Sequence, residues 1–161
     1  MNTNRHGDIV QALADAGFTL PAPPAPLAAY TPALQTGQLA FTSGQLPLVD
    51  GKLEATGKVG DGPGLISPDT AREQAARCAL NALAALATML GDLGRIARVA
   101  KLTGFVASDP AFTSQSAVID GASELLKAAF GADGVHTRSA VGVAVLPKDS
   151  PVEVELTVAL H

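Results

Sequence analysis

The spacing of apolar residues along the chain predicts three helices. Residues 7–16 place apolar side chains on one helical face. Residues 68–90 form the longest apolar stripe, in which Ser67 suits the N-cap and Pro68 suits the first helical position. Residues 112–130 form a third stripe with the same period. The two longer stripes are therefore predicted to be the main helices, and the first a short N-terminal one.

Short apolar runs and strict alternation predict five strands. They cover residues 28–33, 38–43, 96–107, 138–145 and 152–160. The alternation is strictest in the last two. Asp50-Gly51 is the strongest local turn signal in the chain. The order of strands, helix, strand, helix and two strands predicts an α+β fold with its helices on one face of a sheet.

Prolines divide the chain into two parts. Four of the six residues from Pro21 to Pro26 are proline, which favours an extended connector over a helix or a central strand. Residues 1–27 are therefore predicted to be an N-terminal helix with a proline-rich connector. Residues 28–161 are predicted to be a single α+β domain, since a chain of 161 residues ordinarily forms one domain.

Composition narrows the choice of partners and compartment. The net charge is -4 and no cluster of lysine or arginine is present, so nucleic-acid binding is not expected. Charged residues make up only 16% of the chain, which favours subunit interfaces over a fully solvated surface. No apolar run approaches the roughly 18 residues of a membrane span, and no targeting segment is visible. With the single Cys78, these features predict a cytoplasmic protein without a disulfide.

The common signatures of cofactor and nucleophile chemistry are missing. The sequence has no glycine-rich phosphate loop and no nucleophile elbow. Its three histidines, His6, His136 and His161, do not have the spacing of metal ligands. We therefore expect neither a metal nor an organic cofactor.

Charges inside apolar strands are the remaining candidates for chemistry. Arg138 begins a strand with small residues on one face, and that open volume suits a planar carboxylate beside the guanidinium. A strand-end arginine that points into solvent is the common alternative. Glu153 and Glu155 share one face of the last strand, opposite a continuous apolar face, where such residues are usually just solvated. Local pattern alone leaves both possibilities open.

Two longer motifs make the chain resemble the RidA (YjgF) family of reactive intermediate deaminases. The segment 40–47, AFTSGQLP, resembles the family's strand and SGQ-containing loop, and the segment 138–149, RSAVGVAVLPKD, followed by VEVE at 152–155, resembles its signature. The similarity covers residues 28–160 and is greatest to a longer branch with an N-terminal helix. It implies a chorismate-mutase-like α+β subunit with a mixed sheet and two main helices on one face. It also implies a homotrimer with ligand sites between subunits.

The resemblance assigns a reaction and a site. The implied reaction is hydrolysis of a 2-imino acid to a 2-keto acid and ammonia, without a cofactor. Arg138 would bind the substrate carboxylate, and Glu153 would orient and polarise the attacking water. The implied substrate-binding residues are Tyr30, Ser43, Gly44 and Ala140.

The sequence departs from the family pattern in ways that bear on the substrate. Ala140 stands where a cysteine is common, and the family's site asparagine has no clear counterpart. Asp120 or Ser123 is nearest, and we expect Asp120 to face elsewhere because an aspartate beside a substrate carboxylate is unfavourable. Two other functions remain open: a non-catalytic trimer that binds small carboxylic acids, and RNA cleavage, which the acidic pI disfavours.

Overall fold

A computed structural model describes residues 4–22 and 29–161 and has the predicted α+β class. Within these residues the helices are α1 (Arg5–Asp15), α2 (Pro68–Leu90) and α3 (Gln115–Phe130). The strands are β1 (Ala33–Thr36), β2 (Leu39–Thr42), β3 (Ile96–Ala107), β4 (Thr137–Val143) and β5 (Val152–Leu160). None of the helices among them is both long enough and apolar enough to cross a membrane.

The five strands form one mixed sheet in the order β1-β2-β5-β3-β4. β3 and β4 run parallel, and the other neighbouring pairs are antiparallel. α2 packs on β5 and α3 packs on β3 and β4, so both main helices cover the same face of the sheet. In β5, half-exposed residues on the open face alternate with apolar residues buried on the helix-covered face. The buried residues are Val152, Val154, Leu156, Val158 and Leu160. The core therefore lies between the sheet and the two helices.

The predicted limits of α2 are confirmed, because both ends carry local signals. The Ser67 hydroxyl accepts a hydrogen bond from the Thr70 amide at 3.1 Å, and Pro68 occupies the first turn. At the other end, Gly91 adopts a left-handed conformation with φ 75°, and its amide donates to the Ala87 carbonyl at 2.9 Å. β3 and β5 also have their predicted limits.

The first predicted strand, residues 28–33, is wrong. β1 begins at Ala33, where the prediction ended, and runs to Thr36. Pro32 has no amide hydrogen to donate to a ladder, and its carbonyl accepts from the Ser43 amide just before pairing with β2 begins. Ala28 lies outside the described residues, as do the prolines at 23, 24 and 26 of the predicted connector.

Other boundaries move by a few residues. β4 ends at Val143 instead of 145, because its partner β3 ends at Ala107. α3 begins at Gln115 instead of 112, since a turn formed by Asp109 precedes it. The N-terminal helix α1 packs against α3, with Ile9 and Leu13 buried in the common core.

Candidate functional site

Arg138, the predicted carboxylate anchor, lies on the helix-covered side of the sheet. It pairs with Leu102 in the β3–β4 ladder, and Leu102 is fully buried on that side. The Arg138 side chain is 24% exposed. Its Nη1 donates to Asp120 Oδ1 at 2.7 Å and to Ser123 Oγ at 3.2 Å. The guanidinium is therefore held by α3 and does not extend freely into solvent.

His136 extends this cluster of side chains. Its Nδ1 lies 2.6 Å from the Gly134 carbonyl, which can only accept, so Nδ1 carries the hydrogen. Its Nε2 lies 3.0 Å from Ser123 Oγ. With His136 neutral, the Ser123 hydroxyl donates to Nε2 while it accepts from Arg138. We call Asp120, Ser123, His136 and Arg138 the arginine cluster.

The expectation that Asp120 faces elsewhere is wrong. Asp120 and Ser123 are three residues apart on α3, which places both side chains on the same helical face. The packing of α3 on β4 aims that face at Arg138, so both candidates for the missing asparagine contact the guanidinium. His136 was missed because its partner, Ser123, is distant in sequence and no metal-ligand spacing marks it.

Ala140 lies two residues beyond Arg138 on the same face of β4. It pairs with Gly104 of β3 and packs against the edge of the core. The arginine cluster lines a cleft of about 370 Å³, whose wall also contains Glu124, Lys127 and Val135. A larger cleft of about 790 Å³ does not have Arg138 in its lining, and its residues Arg72 and Glu124 form an ion pair.

Glu153, the predicted water-positioning residue, lies on the opposite face of the sheet. It pairs with Phe105 in β3, while its neighbours Val152 and Val154 point into the core. Burial raises the pKa of the Glu153 carboxyl above its ordinary value of 4.5, and the nearby charge of Glu155 raises it further. A carboxylate with a raised pKa is a better proton acceptor than an ordinary one.

Gly44 makes room for this carboxylate. A methyl group in place of the Gly44 hydrogen would overlap the Glu153 carboxyl, so the Glu153 side chain can hold this position only because residue 44 is glycine. The next residue, Gln45, holds the loop against β5. Its amide donates to the Val154 carbonyl at 2.8 Å, and its own carbonyl accepts from the Val154 amide at 3.1 Å. The loop after β2 is thereby attached to β5 directly beside Glu153.

Ser43 and Tyr30 lie in segments that are joined by a hydrogen bond. The Ser43 hydroxyl donates to the Thr31 carbonyl at 2.7 Å, which attaches the segment around Tyr30 to the loop at Gly44. Tyr30 itself is 57% exposed. Among the described residues no hydrogen bond joins Tyr30 to Glu153, so we call Ser43, Gly44 and Glu153 the glutamate cluster.

The predicted site residues therefore form two separate groups in one chain. Arg138 and Ala140 lie on the helix side of the sheet, while Glu153 lies on the open side, and β3 separates their strands. A single chain cannot place the Arg138 guanidinium and the Glu153 carboxylate around one small ligand. Because β4 is an edge strand, a second copy of the chain packed along that edge can approach Arg138.

Known proteins resemble the chain over nearly its whole length. The family described as "YjgF/chorismate_mutase-like, putative endoribonuclease" matches residues 10–160. The chain is 39% identical over 162 residues to Protein TCP17 of Trypanosoma cruzi, which covers 100% of this chain and 99% of that protein. It is similar to the crystal structure of Atu1372 from Agrobacterium tumefaciens, a protein of unknown function, with 40% identity and a TM-score of 0.89 over 98% of this chain and 95% of that one.

Two Escherichia coli structures have the same fold at greater distance. YjgF is 26% identical with a TM-score of 0.60, over 86% of this chain and 92% of its own. TdcF, whose structure holds bound serine, is 27% identical with a TM-score of 0.58, over 89% and 97%. The family match spans most of the chain, and the observed mixed sheet with its helices agrees with it. The chain therefore belongs to the YjgF (RidA) family, whose members include small-molecule-processing enzymes, and carries an additional N-terminal helix.

Proposed function

We propose that the protein hydrolyses reactive 2-imino acids to 2-keto acids and ammonia. The observation that carries this proposal is the position of Arg138, a part-buried guanidinium beside a cleft, with only its Nη1 bonded to other described residues. Its remaining N–H groups suit the two oxygens of a carboxylate. Membership of the YjgF family and the serine bound to TdcF agree with a small ligand that carries a carboxylate.

The reaction needs a carboxylate anchor and a base. With the substrate held by Arg138, a water molecule adds its oxygen to the imine carbon while Glu153 takes one of its protons. The raised pKa of Glu153 suits this role. Glu153 returns this proton to the nitrogen. It then takes the proton of the new hydroxyl as the carbonyl forms, and the carbon–nitrogen bond breaks to release ammonia. Water and the imine supply all the atoms of the two products.

The proposed site lies between two copies of the chain. Arg138 of one copy and Glu153 of its neighbour would face the same ligand, because within one chain they occupy opposite faces of the sheet. A homotrimer built this way contains three equivalent sites. It would also cover the apolar side chains exposed near the open face and edges of the sheet, such as Leu39, Phe41 and Val141.

The test is keto acid release from 2-iminopropanoate generated in the assay. We expect turnover above the buffer rate and its loss in Arg138→Ala, since removing a charged partner costs about 2–5 kcal/mol of binding. Glu153→Gln should lower kcat by about 10²- to 10⁴-fold while ligand binding persists. Arg98→Ala is the control, since Arg98 is an exposed arginine of β3. Wild-type turnover equal to buffer across several imino acids would overturn the proposal.

The same preparation separates two other functions. Thermal stabilisation by 2-ketobutyrate, lost in Arg138→Ala but without any imine turnover, would indicate a non-catalytic binding trimer. RNA cleavage, which the family description names, would appear as salt-dependent RNA binding and cutting by nuclease-free protein. The net charge of -4 disfavours that outcome.

A further inference from the structure

A carboxylate already lies against the proposed anchor. Asp120 Oδ1 is 2.7 Å from Arg138 Nη1, and the Asp120 side chain is 45% exposed at the cleft. Oδ1 is its only oxygen with a hydrogen bond to other described residues. The anchor therefore presents a guanidinium edge and a carboxylate oxygen side by side.

This pair changes which ligands fit best. A guanidinium alone attracts any carboxylate, but here a ligand with only a negative charge also meets the negative charge of Asp120. A ligand with a cationic N–H group next to its carboxylate avoids that cost, because each of its charges faces an opposite one. The arrangement is complementary to a zwitterion.

Neighbouring groups do not take over the role of Asp120. Glu124, one turn further along α3, also lines the cleft, as does Lys127, but its carboxylate is exposed and paired with Arg72. Ser123 and His136 bond to each other and present no negative charge to the cleft. Among the described residues of the arginine cluster, Asp120 is the acidic side chain in contact with Arg138.

We propose that Asp120 is a specificity-determining residue, which makes this site select small zwitterionic acids, the 2-iminium acid and the α-amino acid, over 2-keto acids. The inference rests on the proposed function for its anchor, Arg138. In the reaction, Asp120 holds the proton on the imine nitrogen, and the protonated imine is the form that water attacks most readily. The keto acid product has a carbonyl oxygen where the N–H group was, so it loses this contact and is released.

Binding of a matched pair of ligands tests this without turnover. L-alanine and pyruvate have the same carbon skeleton and differ at the atom that Asp120 would recognise. By calorimetry on the full chain at neutral pH, we expect L-alanine to bind at least about tenfold more tightly than pyruvate, the size of one charge-assisted hydrogen bond. Asp120→Asn should abolish or reverse that preference, because asparagine keeps the shape and the acceptor for Arg138 but loses the charge.

Control variants separate this inference from the proposed function. Glu124→Gln removes the same charge from the same helix and should keep the preference for L-alanine. Asp120→Ala gives a second removal of the carboxylate, with thermal melting to show that the variant is folded. If both ligands bind through Arg138 without preference, or if Asp120→Asn changes nothing, Asp120 does not determine specificity, while Arg138 remains the carboxylate anchor. If neither ligand binds the wild-type protein, or if Arg138→Ala binds both as well as wild type, Arg138 is not the anchor and Asp120 has no role in specificity.

Discussion

The arginine cluster and the glutamate cluster are built in different ways. Arg138 is positioned by side chains, since Asp120 and Ser123 of α3 hold its guanidinium. Glu153 is positioned by backbone, since the Gln45–Val154 bridge and the absence of a side chain at Gly44 define the space for its carboxylate. Single side-chain changes on α3 should therefore alter the anchor, while Glu153 should respond mainly to changes in the loop after β2.

The two clusters also differ in what a single chain can complete. The arginine cluster forms a cleft of its own, whereas the glutamate cluster faces the open side of the sheet. In the proposed assembly each chain therefore contributes Arg138 to one site and Glu153 to another. Mixing variants tests this arrangement directly.

Mixing two inactive variants should give the largest effect. Arg138→Ala and Glu153→Gln would each damage one half of every site in the proposed homotrimer. Unfolding and refolding them together in equal amounts makes mixed trimers, in which about a quarter of the sites combine an intact Arg138 with an intact Glu153 from the neighbouring copy. We expect the rate of imine hydrolysis to rise from near zero to about a quarter of that of wild type.

The design has a matched control. Refolding Arg138→Ala with the double variant Arg138→Ala/Glu153→Gln restores no complete site in any arrangement and should stay inactive. If the first mixture also stays inactive although mixed trimers are present by mass spectrometry, Arg138 and Glu153 do not act together across an interface. The two clusters would then not form a shared site.

Gly44→Ala should affect the glutamate cluster alone. The new methyl group overlaps the Glu153 carboxylate, so either the side chain or the loop must move. The overlapped atoms are the end of a half-exposed, flexible side chain, so the loss of unfolding free energy should be smaller than the about 1–3 kcal/mol of overpacking in a core. A shift of about 1 Å at a reacting group lowers kcat by up to about 100-fold. Chemical denaturation and steady-state kinetics measure the two effects.

Two observations would separate this effect from a general loss of structure. Gly62→Ala is the control, because the space around Gly62 is open and only the Leu65 side chain lies near, at 3.8 Å. L-alanine binding should persist in Gly44→Ala, since Arg138 and Asp120, the residues proposed to bind its two charges, are unchanged. Unchanged kcat in Gly44→Ala would show that the position of Glu153 does not limit the reaction.

Local signals explain how much of the fold the sequence predicts. α2 has its own N-cap and a glycine at its C-terminal end, and the alternation in β5 defines its buried face, so both could be predicted without knowing their neighbours. The ends of β1 and β4 depend on their partner strands, β2 and β3, which local pattern does not specify. These are the places where predicted strand boundaries moved.

The candidate site is harder to predict for the same reason. The motif around Arg138 predicts a carboxylate anchor at this position, but the contact of Arg138 with Asp120 depends on how α3 packs on β4. Alternation within β4 and β5 shows which residues share a face in each strand. Only the register of both strands against β3 shows that Arg138 and Glu153 point to opposite sides. The role of each residue therefore needs the tertiary structure.

The smallest expected effect is a change in pH dependence on removing Glu155. The pKa of Glu153 is raised above 4.5 by burial first and by Glu155 second. Between the unfolded and the raised pKa the native state binds more protons, so the free energy of unfolding falls as pH rises through that window. Glu155→Gln removes the second cause only. The upper end of the window should move to lower pH but remain above 4.5, because burial is unchanged.

The same variant should shift the acid limb of kcat/KM. Glu153 must be ionised to take a proton from water, so activity rises with pH through its raised pKa. In Glu155→Gln this rise should begin at lower pH, while the plateau stays close to that of wild type. Glu73→Gln, on the exposed side of α2, changes the net charge equally and should leave the limb in place. The acid limb could instead stay fixed in Glu155→Gln and persist in Glu153→Gln. In that case another group titrates, and Glu153 is not the base of the reaction.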